Sequence, residues 1–172
     1  FEKTTEVFFS CGGAAIYNRK LAIDLGLFDE NHFAYLEDID IGYRAKLHGY
    51  INMYEPSAVC YHAGSAVTGS RHNAFKVSIT ARNNLYLIYK NMPLWQIVIN
   101  FPFILAGIII KAVYFGRKKL FKAYVNGLRD GIGLCSSQEA KANRVDFVNI
   151  SAKTLMNIEF ELFVNTLRRL LG

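Results

Sequence analysis

The run from Leu94 to Phe115, LWQIVINFPFILAGIIIKAVYF, constrains this chain more than any other stretch. Roughly 20 predominantly apolar residues suffice to cross a bilayer as a helix, and the run has about that length. Gln96, Asn100 and Lys111 interrupt it, and Pro102 is expected to kink it. Trp95 at one end, with Tyr114, Arg117, Lys118 and Lys119 at the other, suits an interfacial belt. The pattern predicts a helix that lies in, or dips into, a membrane interface. A full span is the second reading and a buried core helix the third.

The totals fit this. The chain has 172 residues, enough for a domain with a real core, and 52% of them are hydrophobic and 14% aromatic. The formal charge is +6, and many of the cations fall between Lys111 and Lys122, directly after the apolar run. That placement suits an anionic membrane surface, and no nucleic-acid-binding motif accompanies it. Cys11, Cys60 and Cys135 are odd in number and far apart, so they read as free thiols in a reducing compartment. The first residue is Phe and no signal peptide is visible, so the chain reads as the C-terminal part of a longer protein.

The stretch Phe28 to Tyr50, FDENHFAYLEDIDIGYRAKLHGY, concentrates chemistry. Asp29, Glu30, Glu37 and Asp38 lie in an aromatic-rich loop, and Asp40 opens a short amphipathic helix. Leu36, Ile39, Tyr43 and Leu47 recur at helical spacing, and Gly49 stops the helix. Carboxylates at a helix start are favoured by the dipole and the free backbone N–H groups. Asp40 and Arg44, four apart, are expected to pair on the outer face. Such carboxylates are common as caps. Held beside aromatic walls, one of them can also serve as a general base.

Around this stretch, Thr4 to Ser10 reads as a strand running into Cys11-Gly12-Gly13-Ala14-Ala15, a tight turn or a close-approach site. It is not a phosphate loop by spacing. Ile16-Tyr17 continues as a strand, and Asn18 caps a helix over Arg19 to Leu25, ended by Gly26. Ile51 to Tyr54 and Ala58 to Tyr61 read as strands around a Glu55-Pro56-Ser57 turn, and the second ends in His62. Ala63 to Asn73 is a polar loop carrying Ser65, Thr68, Arg71 and His72. Ala74 to Asn91 is a helix with Arg82, Asn83 and Tyr86, broken by Pro93. Leu120 to Gly133 is a further helix, and Ile158, Leu162, Phe163 and Leu167 form a stripe in the tail. That stripe reads as core packing first, and as a docking or oligomer surface second.

Three blocks taken together, SCGGAAIYNRK, GLFDENHFAYLEDIDIGYRAKLHGY and PSAVCYHAGS, resemble the second half of the catalytic domain of family 2 glycosyltransferases. These are inverting enzymes of GT-A fold, and the similarity is to the rhamnosyltransferase-like branch. It covers roughly residues 5–92. The resemblance implies an α/β fold, part of a mixed sheet with flanking helices, over 1–92; membrane-associated helices over 93–135 and a helical tail over 136–172 follow from the residues themselves. It implies Asp38 as general base, Glu37 as its support, Gly12, Gly13 and Ala14 as floor for acceptor and donor sugar, and His62 as ligand for Mn2+ or Mg2+. Arg71 and Arg82 are assigned to the diphosphate from charge alone. The implied partners are a nucleotide-sugar donor, a glycan or lipid-linked glycan acceptor and the cytoplasmic face of a membrane.

One departure stands out. The family's nucleotide-binding half ends in Asp-x-Asp after an apolar strand, and nothing before residue 1 supplies it. Asp38-Ile39-Asp40 spells the pattern without that strand. The 172 residues alone are therefore expected to bind nucleotide poorly and lack activity. A membrane-associated scaffold that keeps the fold without the chemistry is the alternative.

Overall fold

The computed structural model describes residues 2–61 and 72–171. His62 and Arg71 lie outside them. Helices dominate: α1 (Arg19–Asp24), α2 (Glu37–Leu47), α3 (Ala74–Asn91), α4 (Leu94–Arg117), α5 (Phe121–Cys135), α6 (Gln138–Ala142) and α7 (Ala152–Leu171). A short 3-10 turn, Glu30–His32, precedes α2.

The sheet is smaller than the sequence implies. β1 (Thr5–Val7) and β2 (Asn52–Tyr54) pair antiparallel, with Glu6 opposite Met53, and no third strand joins them among the described residues. Ile16-Tyr17 and Ala58–Tyr61, expected as strands, are irregular. Their apolar character suits a strand, but a strand forms only where a ladder partner satisfies its backbone. The α/β expectation thus reduces, among the described residues, to a helix-rich chain with one antiparallel two-stranded sheet.

The helix boundaries follow local chemistry. The Asn18 side chain accepts from the Leu21 N–H at 3.1 Å, and the Asn73 side chain from the Lys76 N–H at 2.9 Å, so both α1 and α3 carry a side-chain N-cap. Beyond α2, Gly49 turns the chain at φ +81°, a conformation glycine adopts without steric cost.

Two apolar clusters form the core. Tyr43 and Leu47 of α2 meet Met92, Leu155 and Ile158, and Phe8 and Leu162 pack against them. Ile158 and Leu162 of the tail stripe therefore pack inward, whereas Phe163 and Leu167 are exposed. The second cluster joins Val77 and Ala81 of α3 to Tyr124 of α5, covered by Ile108, Ala112 and Phe115 of α4. Here α3 and α5 touch backbone to backbone: a Cβ at Gly127 would lie 2.2 Å from the Ser78 carbonyl oxygen.

Helix α4 is unbroken through Pro102. One face is anchored along its length. Gln96 is fully buried and donates to the Leu155 carbonyl at 3.1 Å, and Asn100 donates to Glu159 at 2.9 and 3.0 Å. The opposite face, including Val98, Phe101, Ile109, Ile110 and Val113, is open. The helix has 24 residues and is long and apolar enough to cross a membrane, and none of its most apolar window is buried.

Candidate functional site

The acidic loop is built from strained backbone. Leu27, Phe33, Tyr35 and Leu36 all have φ between 58° and 71°. None is glycine, and such residues cost roughly 1–3 kcal/mol each unless the surroundings hold them. Helix α3 does the holding. The Asn83 side-chain amide donates to the carbonyls of His32, Ala34 and Tyr35 at 2.7–2.8 Å. Arg82 donates to the carbonyls of Asn31 and His32, and through Nε to Asn83 at 2.9 Å. The two side chains fasten the turn from which Glu37 and Asp38 project. Arg82, expected at a diphosphate, is therefore engaged in this clamp, and burial lowers its proton affinity.

Beneath the loop lies a buried charge network that sequence spacing misplaced. Asp40 and Arg44 do pair, with Oδ2 2.6 Å from Nη2 and 2.9 Å from Nε, but inside the protein and not on its outer face. Asp40 is fully buried and also accepts from Lys90 Nζ at 2.9 Å and Asn91 at 2.8 Å. Arg44 reaches on to the carbonyls of Leu25 and Leu27. Lys90 bridges to Asp29 at 2.7 Å, and Asp29 also accepts from Tyr86 Oη at 2.6 Å and Asn143 at 3.0 Å. His32 is sealed in the same layer, its Nε2 3.7 Å from Asp40 and its ring 5.1 Å from that of Tyr86.

Burial opposes ionisation of both carboxylates, yet both sit below the usual range. For Asp40 the neighbouring His32, Lys90, Arg44 and Asn91 more than offset desolvation. For Asp29 the bonds from Lys90 and Tyr86 do so. The Tyr86 phenol moves the other way, held protonated by burial and by its bond to Asp29. Asp40 therefore belongs to the framework, which removes it from an Asp-x-Asp metal motif.

Asp38 faces the other way. Its Oδ2 accepts the Gly12 N–H at 2.9 Å, and its Oδ1 accepts the Ile39 N–H at 2.8 Å. The approach is close: a Cβ at position 12 would stand 3.1 Å from Asp38 Cβ, so a side chain there would push on the carboxylate's own stem. Gly12, Gly13 and Ala14 form an exposed turn closed by the Ala14 N–H on the Cys11 carbonyl at 3.0 Å. Each carboxylate oxygen carries two lone pairs, so both keep acceptor capacity after these bonds. The carboxylate is half-buried at the edge of the turn.

Glu37 does not hold Asp38 by a direct bond. The donors that orient Asp38 are backbone N–H groups. Glu37 Oε2 is buried without a hydrogen-bond partner among the described residues, and so is Tyr17 Oη. Burial, then the charges of Asp38, Cys11 and Glu37, raise the proton affinity of the Tyr17 phenol. Tyr17 was not singled out from sequence. It comes into play because residues 11–17 fold back onto the start of α2.

Among the described residues no group of three His, Cys, Asp or Glu side chains could hold a metal ion, and His62, the expected ligand, lies outside them. The described cysteines are all free. Burial pushes the Cys135 thiol up to about 11, which disfavours the reactive thiolate.

A half-buried carboxylate, oriented by two N–H donors beside an open glycine turn, can accept a proton from a hydroxyl. Comparison with known proteins finds partial similarity to a glycosyltransferase. The relatives are the N-acetylglucosaminyl-diphospho-decaprenol L-rhamnosyltransferases of two Mycobacterium tuberculosis strains (CDC 1551 / Oshkosh and ATCC 25618 / H37Rv). Each is 36% identical over 58 residues, which is 34% of this chain and 19% of the relative. The chain thus matches about a fifth of the relatives' length. No family model matches the chain, and no solved structure matches it.

Proposed function

We propose that this chain carries the acceptor-side portion of an inverting, family 2, GT-A-type glycosyltransferase, with Asp38 as general base. The observation that carries the reading is the Asp38 carboxylate, held at the Gly12 turn by two backbone N–H groups. The similarity to a rhamnosyltransferase supports the reaction class.

An alcohol is a weak nucleophile, and a positioned carboxylate assists by taking its proton during attack. The acceptor hydroxyl attacks the anomeric carbon of a nucleotide-diphosphate sugar, its proton passes to Asp38, and the bond to the diphosphate oxygen breaks. One in-line displacement inverts the anomeric centre. Gly12 to Ala14 form the floor on which the acceptor rests. Glu37 and Tyr17, with their unpartnered oxygens, border it. The resemblance assigns a divalent metal and His62 to the diphosphate side of the reaction.

The acceptor is a lipid-linked glycan, a reading supported by the diphospho-decaprenol substrate in the relatives' name. Association with the cytoplasmic face of a membrane is part of this reading, and the apolar length of α4 supports it. The test is Asp38→Asn in the complete natural protein. Transfer from a nucleotide sugar is expected to fall at least a hundredfold, within the range for loss of a general base, with an unchanged melting curve. Undiminished turnover in that variant would end the base assignment and favour the non-catalytic scaffold.

A further inference from the structure

Two polar atoms beside the proposed base are buried and have no hydrogen-bond partner among the described residues: Oη of Tyr17 and Oε2 of Glu37. A buried polar atom left unpaired costs the full desolvation of its group, so folded proteins pair nearly all of them. The fold brings these two to one place. The Gly12 N–H is bound to Asp38 at 2.9 Å, which lays residues 11–17 against the start of α2, where Glu37 immediately precedes Asp38. The Tyr17 ring is fixed edge-on to Phe28, with centroids 5.5 Å apart and planes at 89°. Helix capping does not occupy Glu37, because the N-cap of α2, Leu36, has no side-chain bond and Oε2 has none either.

The two atoms differ in kind. The phenol is a donor, and burial, then the neighbouring Asp38, Cys11 and Glu37, keep its proton in place. The carboxylate oxygen is an acceptor. That pairing sorts the ligands. A phosphate or carboxylate is repelled by Glu37 and Asp38. A cation satisfies Glu37 and leaves the phenol proton unpaired. A neutral hydroxyl satisfies both, accepting from one and donating to the other. Tyr17 and Glu37 are each partly exposed as residues, so a side-chain rotation of the kind common on binding brings their oxygens to the open side of the glycine turn.

We propose that Tyr17 and Glu37 bind a second hydroxyl of the acceptor sugar, next to the one whose proton passes to Asp38, so that the site selects an acceptor carrying a diol; this rests on the glycosyltransferase reading. Tyr17 Oη donates to the second hydroxyl, and that hydroxyl donates to Glu37 Oε2. A sugar without it strands both buried atoms, which is how a site built for a hydroxyl rejects the analogue that lacks one.

The experiment titrates octyl N-acetyl-β-glucosaminide and its three monodeoxy analogues into the complete natural protein, followed by saturation-transfer NMR. The unaltered protein is expected to bind the parent glycoside at least about tenfold more tightly than the analogue lacking the second hydroxyl. Tyr17→Phe should weaken the parent by about that factor and leave that one analogue unchanged. Glu37→Gln should spare the same analogue. Neither substitution should lower the melting temperature, since neither atom has a partner in the fold to lose.

Equal losses for the parent and all three analogues would make Tyr17 a structural residue and overturn the proposal. So would no binding of the parent by the unaltered protein, parent affinity untouched by both substitutions, or a melting temperature lowered by Tyr17→Phe, which would reveal a partner within the fold. Failure here is distinct from failure of the base assignment. If Asp38→Asn leaves transfer intact while Tyr17→Phe erases the selectivity, the base alone falls. If transfer depends on Asp38 while the selectivity survives Tyr17→Phe, the second-hydroxyl site alone falls.

Discussion

At the scale of single residues, the two aspartates of Asp38-Ile39-Asp40 have opposite tasks. Asp40 is a buried anion whose removal would leave Arg44 without its carboxylate partner and Lys90 with Asp29 alone. Breaking a buried ion pair from one side costs about 3–5 kcal/mol. Asp40→Ala is therefore expected to lower unfolding free energy by that amount in urea titration, whereas Asp38→Asn should change it by less than about 1 kcal/mol, as expected away from a buried network. The network also sets the acid limit. Asp29 and Asp40 have folded-state proton affinities below their ordinary value near 3.9. The unfolded chain then binds protons first as pH falls. The stability these groups contribute is fully present above about pH 4 and is lost progressively below it. Asp29→Asn should flatten that acid limb in pH-dependent thermal melts. The Asp40–Arg44 pairing was legible from a spacing of four. That it points inward was not, because Lys90 and Asn91 come from 50 and 51 positions further along the chain.

At the scale of elements, capping chemistry and periodicity located most of the helices, since Asn18, Gly26 and Pro93 act on their nearest neighbours. The strands were over-read. An apolar run such as Ala58–Tyr61 says what could pair, while pairing itself depends on a partner edge elsewhere. The α3–α5 contact was also invisible, because it rests on an absence of side chain at Gly127 and Gly131, each facing an α3 carbonyl. Adding bulk there must separate the helices or distort them. Gly127→Val is expected to cost about 1–3 kcal/mol or more, as overpacking does, and Gly133→Ala, which meets nothing within 4 Å, should be neutral or slightly stabilising. Urea denaturation of the two variants makes the comparison. The clamp on the acidic loop belongs here too: the sequence showed Arg82 and Asn83 as polar groups on a helix. Their partners are backbone carbonyls some 50 positions earlier, which no side-chain pattern reports.

For the molecule as a whole, the decisive asymmetry is between the two faces of α4. The inner face is fixed to α7 by Gln96 and Asn100 and to α3 and α5 by Ile108, Ala112 and Phe115. A lone transbilayer crossing would forfeit those contacts and strand a buried glutamine. The outer face exposes an apolar stripe, and Arg117, Lys118, Lys119 and Lys122 follow it on the surface. A helix seated in the plane of an anionic leaflet satisfies both faces at once. Each basic residue near such a surface contributes about 1 kcal/mol, an attraction that salt screens within a Debye length. The protein should therefore float with vesicles containing phosphatidylglycerol, bind neutral phosphatidylcholine vesicles more weakly, and be released by alkaline carbonate. Reversing Lys118 and Lys119 to Glu removes two attractions and adds two repulsions, so affinity for the anionic vesicles should fall at least about tenfold, the equivalent of 1.4 kcal/mol. Resistance to carbonate, or equal binding to both vesicle types, would instead place α4 across the bilayer or bury its open face against another protein.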